Sequence, residues 1–234
     1  MVFKKLSAPS LKELFVTELE NMILSGKLEI GAKLPPEREL AESMQVSRAV
    51  INSGIAEMEK KGFLVVKPRI GTFVADYRKY GTIDTLVSIM KYNGGMLRDN
   101  EVRSILEMRI HLMNLAATLT IDNATDEEIR TLKPYVDALA DCTDPEEASS
   151  LIFEFSHQLS FISGNSLLPL FFISFKVLVC NLWVRYANKY GVAPLYQSAS
   201  DIYRYVEQRD KEGVTSCITS STQESISGSR TIYS

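Results

Sequence analysis

The 234-residue chain is short of the residues that compact reactive sites need, with three cysteines, two histidines and one tryptophan. Cys142, Cys180 and Cys217 are too few and too scattered for a disulfide framework or a thiolate zinc site. With only His111 and His157, a site built on three imidazoles is arithmetically excluded. There is no Gly-x-Ser-x-Gly elbow, no Walker loop and no His-Glu-x-x-His helix, so the usual nucleophilic, phosphate-cradling and metalloprotease signatures are missing. Met1 to Ser10 holds no apolar signal core, which sets the expectation of a reducing, cytoplasmic location. What remains is 45% hydrophobic and 24% charged, a composition that excludes disorder, and a length that suits one large domain or two small ones.

Charge is unevenly placed along the chain. Residues 1–75 carry 11 basic and 9 acidic side chains, against 15 and 20 in the remainder. A mildly basic head on an acidic body points to the head as the part that meets a polyanion. Within it, Leu11, Phe15, Leu19, Met22 and Ile23 recur at helical spacing after a capping residue, Ser10, and Gly26 stops the run. Pro35-Pro36-Glu37 opens a second helix over 36–44, because proline suits the first turn and Glu37 meets the positive end of the dipole. Ser47 caps a third over 48–61 that turns Val50, Ile51, Ile55 and Met58 inward and ends at Lys60-Lys61 before Gly62. Residues 63–67 are β-rich, Pro68-Arg69-Ile70-Gly71 is a turn, and 72–74 return. This order predicts a winged helix-turn-helix with a small two-stranded β-wing.

These residues also carry a family likeness. Leu34-Pro35-Pro36-Glu37-Arg38-Glu39-Leu40-Ala41-Glu42, then Val46-Ser47-Arg48, Gly62-Phe63-Leu64 and Gly71-Thr72-Phe73-Val74, resemble the DNA-binding head of the GntR family of bacterial regulators. In a helix-turn-helix the first turn of the second helix meets base edges. Here that turn carries Ser47, Arg48 and Ala49, with Asn52 one turn on. Arginine pairs bidentately with guanine and asparagine with adenine. Arg38 resembles the family's groove-reaching arginine, and Lys67, Arg69 and Gly71 sit on the ribbon, placed for phosphates or the minor groove. The family commonly has arginine where this chain has Asn52, which implies a different half-site.

Residues 76–81 read as a linker and 82–234 as helix throughout, so the expected class is mainly α, the winged head being followed by an all-α bundle of six or seven helices. The spacing predicts helices over 82–93, 100–121, 125–141 with a kink at Pro134, 144–163, a long one from a Ser166 cap to 190, one from Pro194 and one after Gly213. Leu167 to Val184 is long enough to span a membrane, but Ser174, Lys176 and Asn181 within it favour a buried bundle helix, also suited to a dimer interface. Phe155 through Ser163-Gly164-Asn165 resembles the ligand domain of the FadR branch of the same family.

Many members of that branch hold a metal on one aspartate and three histidines. Counted from Ser163-Gly164-Asn165, those positions fall on Ile152 and Ser156 and near Ala199 and Ser221, so no metal and no cofactor is expected. A metal-free pocket reads its ligand by shape and hydrogen bonds; the candidates are Arg103, Ser156, Tyr203, Ser221 and Glu224. The resemblance thus implies a homodimeric cytoplasmic repressor with no membrane part. Its partners would be double-stranded operator DNA and a small-molecule effector of organic-acid or acyl type. The alternatives are a metal-dependent carboxylate sensor with a degenerate site, or a small-molecule binder that no longer reads DNA. A His157–Glu154 catalytic pair lacks a nucleophile or oxyanion donor to work with.

Overall fold

A computed structural model of the chain describes residues 8–233, which divide into two compact units, one ending at Met96 and one starting at Leu97. The first unit contains α1 (Leu11–Leu24), α2 (Glu37–Ser43), α3 (Arg48–Lys60), strands β1 (Leu64–Lys67) and β2 (Gly71–Val74), a short α4 (Tyr77–Tyr80) and α5 (Ile83–Tyr92). Ser10 and Glu13 cap α1 reciprocally: Glu13 N donates to Ser10 Oγ at 3.2 Å and Ser10 N to Glu13 Oε2 at 2.7 Å. The wing pairs antiparallel, Leu64 opposite Val74 and Lys67 opposite Gly71. Phe15, Leu19 and Ile23 of α1 pack on Ile51, Ile55 and Met58 of α3, with Phe63 and Val74 of the wing closing the core. The helices approach so closely at Gly54 that a Cβ there would lie 2.2 Å from the Phe15 ring.

The expected linker and domain start look different in the structure. Asp76 caps α4, and α5, which the spacing assigned to the helical body, packs on α1 in the first unit. Polar contacts fasten it: Ser88 Oγ donates to Glu20 Oε1 at 2.7 Å, and Thr85 Oγ1 to the Lys61 carbonyl. Glu20 is buried and also accepts from Lys61 Nζ at 2.9 Å. Burial pulls the Lys61 pKa down, but the hydrogen bonds and charges of Glu20 and Glu57 outweigh it and the net direction is up.

The second unit consists of α6 (Asp99–Asn123), α7 (Asp126–Arg130), α8 (Lys133–Asp141), α9 (Pro145–Ile162), α10 (Leu168–Tyr190), α11 (Ala193–Glu207) and α12 (Lys211–Ser227). Helix α9 pairs with α10 and α6 with α12, while α8 and α11 pack together. Three boundaries depart from the expected pattern. Pro134 restarts the chain as α8 instead of kinking one helix, since its ring and missing N–H oppose continuation from Leu132. Ser166 does not cap α10: the cap position is Leu167, and just before it Asn165 Oδ1 accepts from Leu167 N at 3.0 Å and Leu168 N at 3.2 Å. Helix α12 begins at an Asp210 cap and runs through Gly213.

Gly164 between α9 and α10 takes φ +76°, the left-handed conformation glycine adopts without strain. Asn123 Nδ2 donates to the Ser163 carbonyl at 2.9 Å, so Ser163-Gly164-Asn165 both ends one helix and starts the next. Helix α10 is the one described helix long and apolar enough to cross a membrane. It is not the buried bundle helix expected. Only 22% of its apolar stretch is buried, because one face packs on α9 while Leu170, Phe171, Ile173 and Val177 stay exposed.

Replacing Glu20 by alanine leaves the half-buried Lys61 ammonium with Glu57 alone, at 3.2 Å, and removes the Ser88 acceptor. We expect a loss of about 2–4 kcal/mol of stability in urea denaturation, with faster amide exchange over residues 83–92. Since the Lys61 pKa is raised on folding, its contribution is complete at neutral pH and is lost only as pH climbs through that raised value.

Candidate functional site

One candidate surface lies on the first unit. Ser47 caps α3, its Oγ accepting from Val50 N at 3.3 Å, which leaves the remaining first-turn N–H groups and the positive end of the helix dipole bare. Arg48, Ala49 and Asn52 are exposed on that end, on the side opposite the sealed Ile51 and Ile55. Arg48 makes no ion pair among the described residues. With its amide oriented to donate, Asn52 reaches Glu37 Oε2 at 2.7 Å and the Arg48 carbonyl at 3.1 Å, so it also ties α2 to α3. Arg38 is exposed and paired with Glu42 at 2.8 Å, an exposed pair of little strength that an anion can displace.

The wing tip is tight. Arg69 holds φ +64° and Gly71 φ +135°, and a Cβ on Gly71 would come within 2.6 Å of Lys33 Cε. Arg69 thus takes a left-handed conformation that few non-glycine residues adopt, as do Gln45 and Arg209. Lys67, exposed on the wing, holds its ammonium over the Phe73 ring at 4.9 Å.

The second candidate site is a cavity of about 90 Å³ inside the helical unit. Of the five residues suggested from sequence, Ser221 and Glu224 line it. The other three lie elsewhere. Arg103 is exposed and paired with Glu107 at 2.8 Å. Ser156 is buried and donates to the Ile152 carbonyl at 2.8 Å. Tyr203 donates to Glu207 at 2.8 Å, its phenol pushed up to about 12 by burial and by that carboxylate.

The metal positions implied by the family resemblance can be tested on the same geometry. Ile152 lines the cavity, Ala199 is fully buried, and neither has a donor atom to offer; Ser156 spends its hydroxyl on backbone. No cluster of three or more His, Cys, Asp or Glu side chains among the described residues could hold a metal ion. The residues present do not fit that group. His157 stacks on Phe153 at 5.7 Å, and Glu154 pairs with Lys176 at 2.9 Å, which leaves no catalytic couple there.

The residue that sequence reading missed is Arg109. It lines the cavity from α6, lies over the Trp183 ring at 5.3 Å, and donates through Nη1 to Thr222 Oγ1 at 3.0 Å. Its signal was in the spacing: Val102, Leu106, Arg109, Met113 and Ala116 step by four and three, the inward stripe of a helix, with four of the five buried apolar. Beside it, residues 229–232 fold back over the cavity. Tyr190 Oη donates to the Thr231 carbonyl at 2.7 Å and Arg185 Nη2 to the Ile232 carbonyl at 2.8 Å, seating a buried Ile232 in the cavity wall.

An exposed, capped helix end beside a basic wing defines a winged-helix nucleic-acid reader, joined here to a helical unit with an internal cavity. Comparison with known proteins agrees. Residues 12–74 match the model for bacterial regulatory proteins of the gntR family, and residues 104–223 match the FCD domain. The chain belongs to the gntR family, in the branch that carries an FCD domain. It is 28% identical over 145 residues to the HTH-type transcriptional regulator Mce2R of Mycobacterium tuberculosis, covering 62% of this chain and 60% of that one. It is 24% identical over 193 residues to LutR, an HTH-type transcriptional regulator of Bacillus subtilis, covering 79% and 85%. The match thus spans under two thirds of Mce2R. Among solved structures, Lar, which controls expression of the Listeria monocytogenes agr system, superposes with a TM-score of 0.60 at 16% identity, over 93% of this chain and 95% of that one. This likeness concerns the fold.

Shortening Ile232 to alanine should open the cavity wall. The expected result is a loss of about 2–3 kcal/mol and a red shift in the emission of Trp183, the single tryptophan of the chain.

Proposed function

We propose that this protein is a sequence-specific DNA-binding transcriptional regulator, a repressor, whose grip on operator DNA is set by a small metabolite held in the helical unit. The observation that carries this reading is the bare end of α3, where Arg48, Ala49 and Asn52 stand exposed on a helix sealed on its other side. Arg48 reads guanine from the major groove, Asn52 an adenine, and Arg38 exchanges Glu42 for the duplex. Lys67, Arg69 and Gly71 bring the wing to phosphate or minor groove. The reading is non-enzymatic and cytoplasmic.

The working form is a homodimer, because two heads are needed for two half-sites about 34 Å apart. The exposed apolar face of α10, with Phe171 and Val177, supports a second copy as its cover. The effector acts only as far as its affinity differs between head placements.

Selection from random duplex DNA should yield a palindromic site bound with a steep salt dependence. Arg48→Ala is expected to cost about 1–3 kcal/mol and relax preference at one symmetric position; unchanged affinity and preference would remove Arg48 from the reading surface. Asn52→Arg should move the preference at the symmetric position that Asn52 reads, an adenine, towards G·C. Phe171→Glu with Val177→Glu should turn a dimer into a monomer in sedimentation, with a corresponding fall in operator affinity.

A further inference from the structure

Asn52 stands on the exposed side of α3 with its hydrogen-bond donors already in use. Its amide nitrogen donates to Glu37 Oε2 at 2.7 Å and to the Arg48 carbonyl at 3.1 Å. An asparagine amide has two N–H bonds, so both are taken and only the side-chain carbonyl is left to meet a ligand. The opposite orientation would set that carbonyl against a carboxylate and a backbone carbonyl, both of them acceptors. Glu37 is exposed in the first turn of α2, and Arg38, next in the chain, spends its guanidinium on Glu42. No cation among the described residues forms an ion pair with Glu37. Its bond to Asn52 is charge-assisted and the shorter of the two, hence the stronger.

This arrangement conflicts with the usual asparagine reading of DNA. Bidentate recognition of adenine needs one N–H for N7 and the carbonyl for the N6 amino group. With both N–H bonds held, Asn52 accepts from an amino group and has nothing to donate to N7. Two bases offer an amino group in the major groove, adenine at N6 and cytosine at N4. Guanine and thymine present acceptors there, which the Asn52 carbonyl and the Glu37 charge both repel.

Resting on the regulator reading above, we propose that Glu37 is a positioning residue that locks the Asn52 amide, so that Asn52 reads the amino group common to adenine and cytosine instead of the whole adenine edge. Glu37 acts without touching DNA, by deciding which atoms of Asn52 are free. The base opposite Asn52 is therefore degenerate, adenine or cytosine, in each half-site.

The test uses the full chain and the palindromic duplex that it selects from random DNA. Asn52→Ala marks the position, as the symmetric pair whose preference relaxes. Duplexes carrying each base there are then compared in competition at one fixed salt concentration. The wild type is expected to hold adenine and cytosine within about threefold of each other, with guanine and thymine at least about tenfold weaker. Replacing the adenine by 7-deazaadenine, which lacks the N7 acceptor, should change wild-type affinity by less than about twofold. Glu37→Ala frees a donor: adenine should rise at least about tenfold over cytosine, and 7-deazaadenine should remove that gain. Glu37→Gln retains a carbonyl acceptor for Asn52 and should keep the wild-type pattern. A merely structural Glu37 would weaken all four duplexes alike and leave the 7-deazaadenine contrast unmoved. The proposal is overturned by a wild type that loses about tenfold on 7-deazaadenine or on cytosine. It is equally overturned by Glu37→Ala with the wild-type base preference, or by Asn52→Ala selecting the wild-type site. A wild type that binds no duplex strikes the regulator reading and this assignment with it, whereas binding with any of those results strikes this assignment alone.

Discussion

The requirement that α3 be sealed along one side and bare along the other governs the first unit. Ile51 and Met58 are fully buried, and Gly54 lets the Phe15 ring of α1 come to van der Waals contact with the backbone of α3. A larger residue at position 54 would push α1 outward and rotate what α3 shows to solvent. The burial is hydrophobic and non-directional, but the close approach at Gly54 makes it specific. Everything proposed for the reading surface follows from that seating, because Ser47, Arg48 and Asn52 are outward only while Ile51 and Ile55 are inward. Helix α5 adds a polar fastening to the same block. Glu20 accepts from both Lys61 and Ser88, so one carboxylate joins α1, the end of α3 and α5.

The helical unit solves a different problem. A bundle of this size fills its interior with side chains, so a guanidinium turned from solvent against apolar walls carries a desolvation cost. Arg109 embodies that cost. It stacks on Trp183 and hydrogen-bonds Thr222, which orients the guanidinium without neutralising it. The segment from Ser229 to Ile232 completes the wall through carbonyls held by Arg185, Lys189 and Tyr190, and it lies beyond the matched FCD residues.

The head was legible almost residue by residue, because its signals are local. A capping serine, a proline at a helix start, a glycine at a helix end and a β-rich run each act within one turn of chain. The body was legible as helix but not in its joints. Pro134 and Asn165 act through the geometry of the turn they sit in, and composition names the residue without naming the outcome. Arg103 shows the same limit. Its place in a family-like run suggested the cavity, yet the side chain pairs with Glu107 in solvent. Arg109, six positions on, lies on the inward stripe of the same helix, and its charge disguised it among apolar neighbours. The apolarity of α10 was plain, but whether it faced core or surface depended on how many neighbours pack around it.

By itself the sequence determined the winged head, its capped helices and the residue types at the end of α3, since each follows from contacts between near neighbours in the chain. It determined equally that the remainder is helical, while the family resemblance only set the expectation that the metal-ligand positions fall on Ile152 and Ser156 and near Ala199 and Ser221. Only the tertiary structure decided that Ser221 and Glu224 share a cavity while Arg103, Ser156 and Tyr203 do not, and that residues 229–232 fold back along its wall. It alone brought Arg109, Trp183 and Thr222 together from three helices, up to 113 residues apart in the chain. Such a meeting is set by how whole helices pack, and no local pattern encodes it.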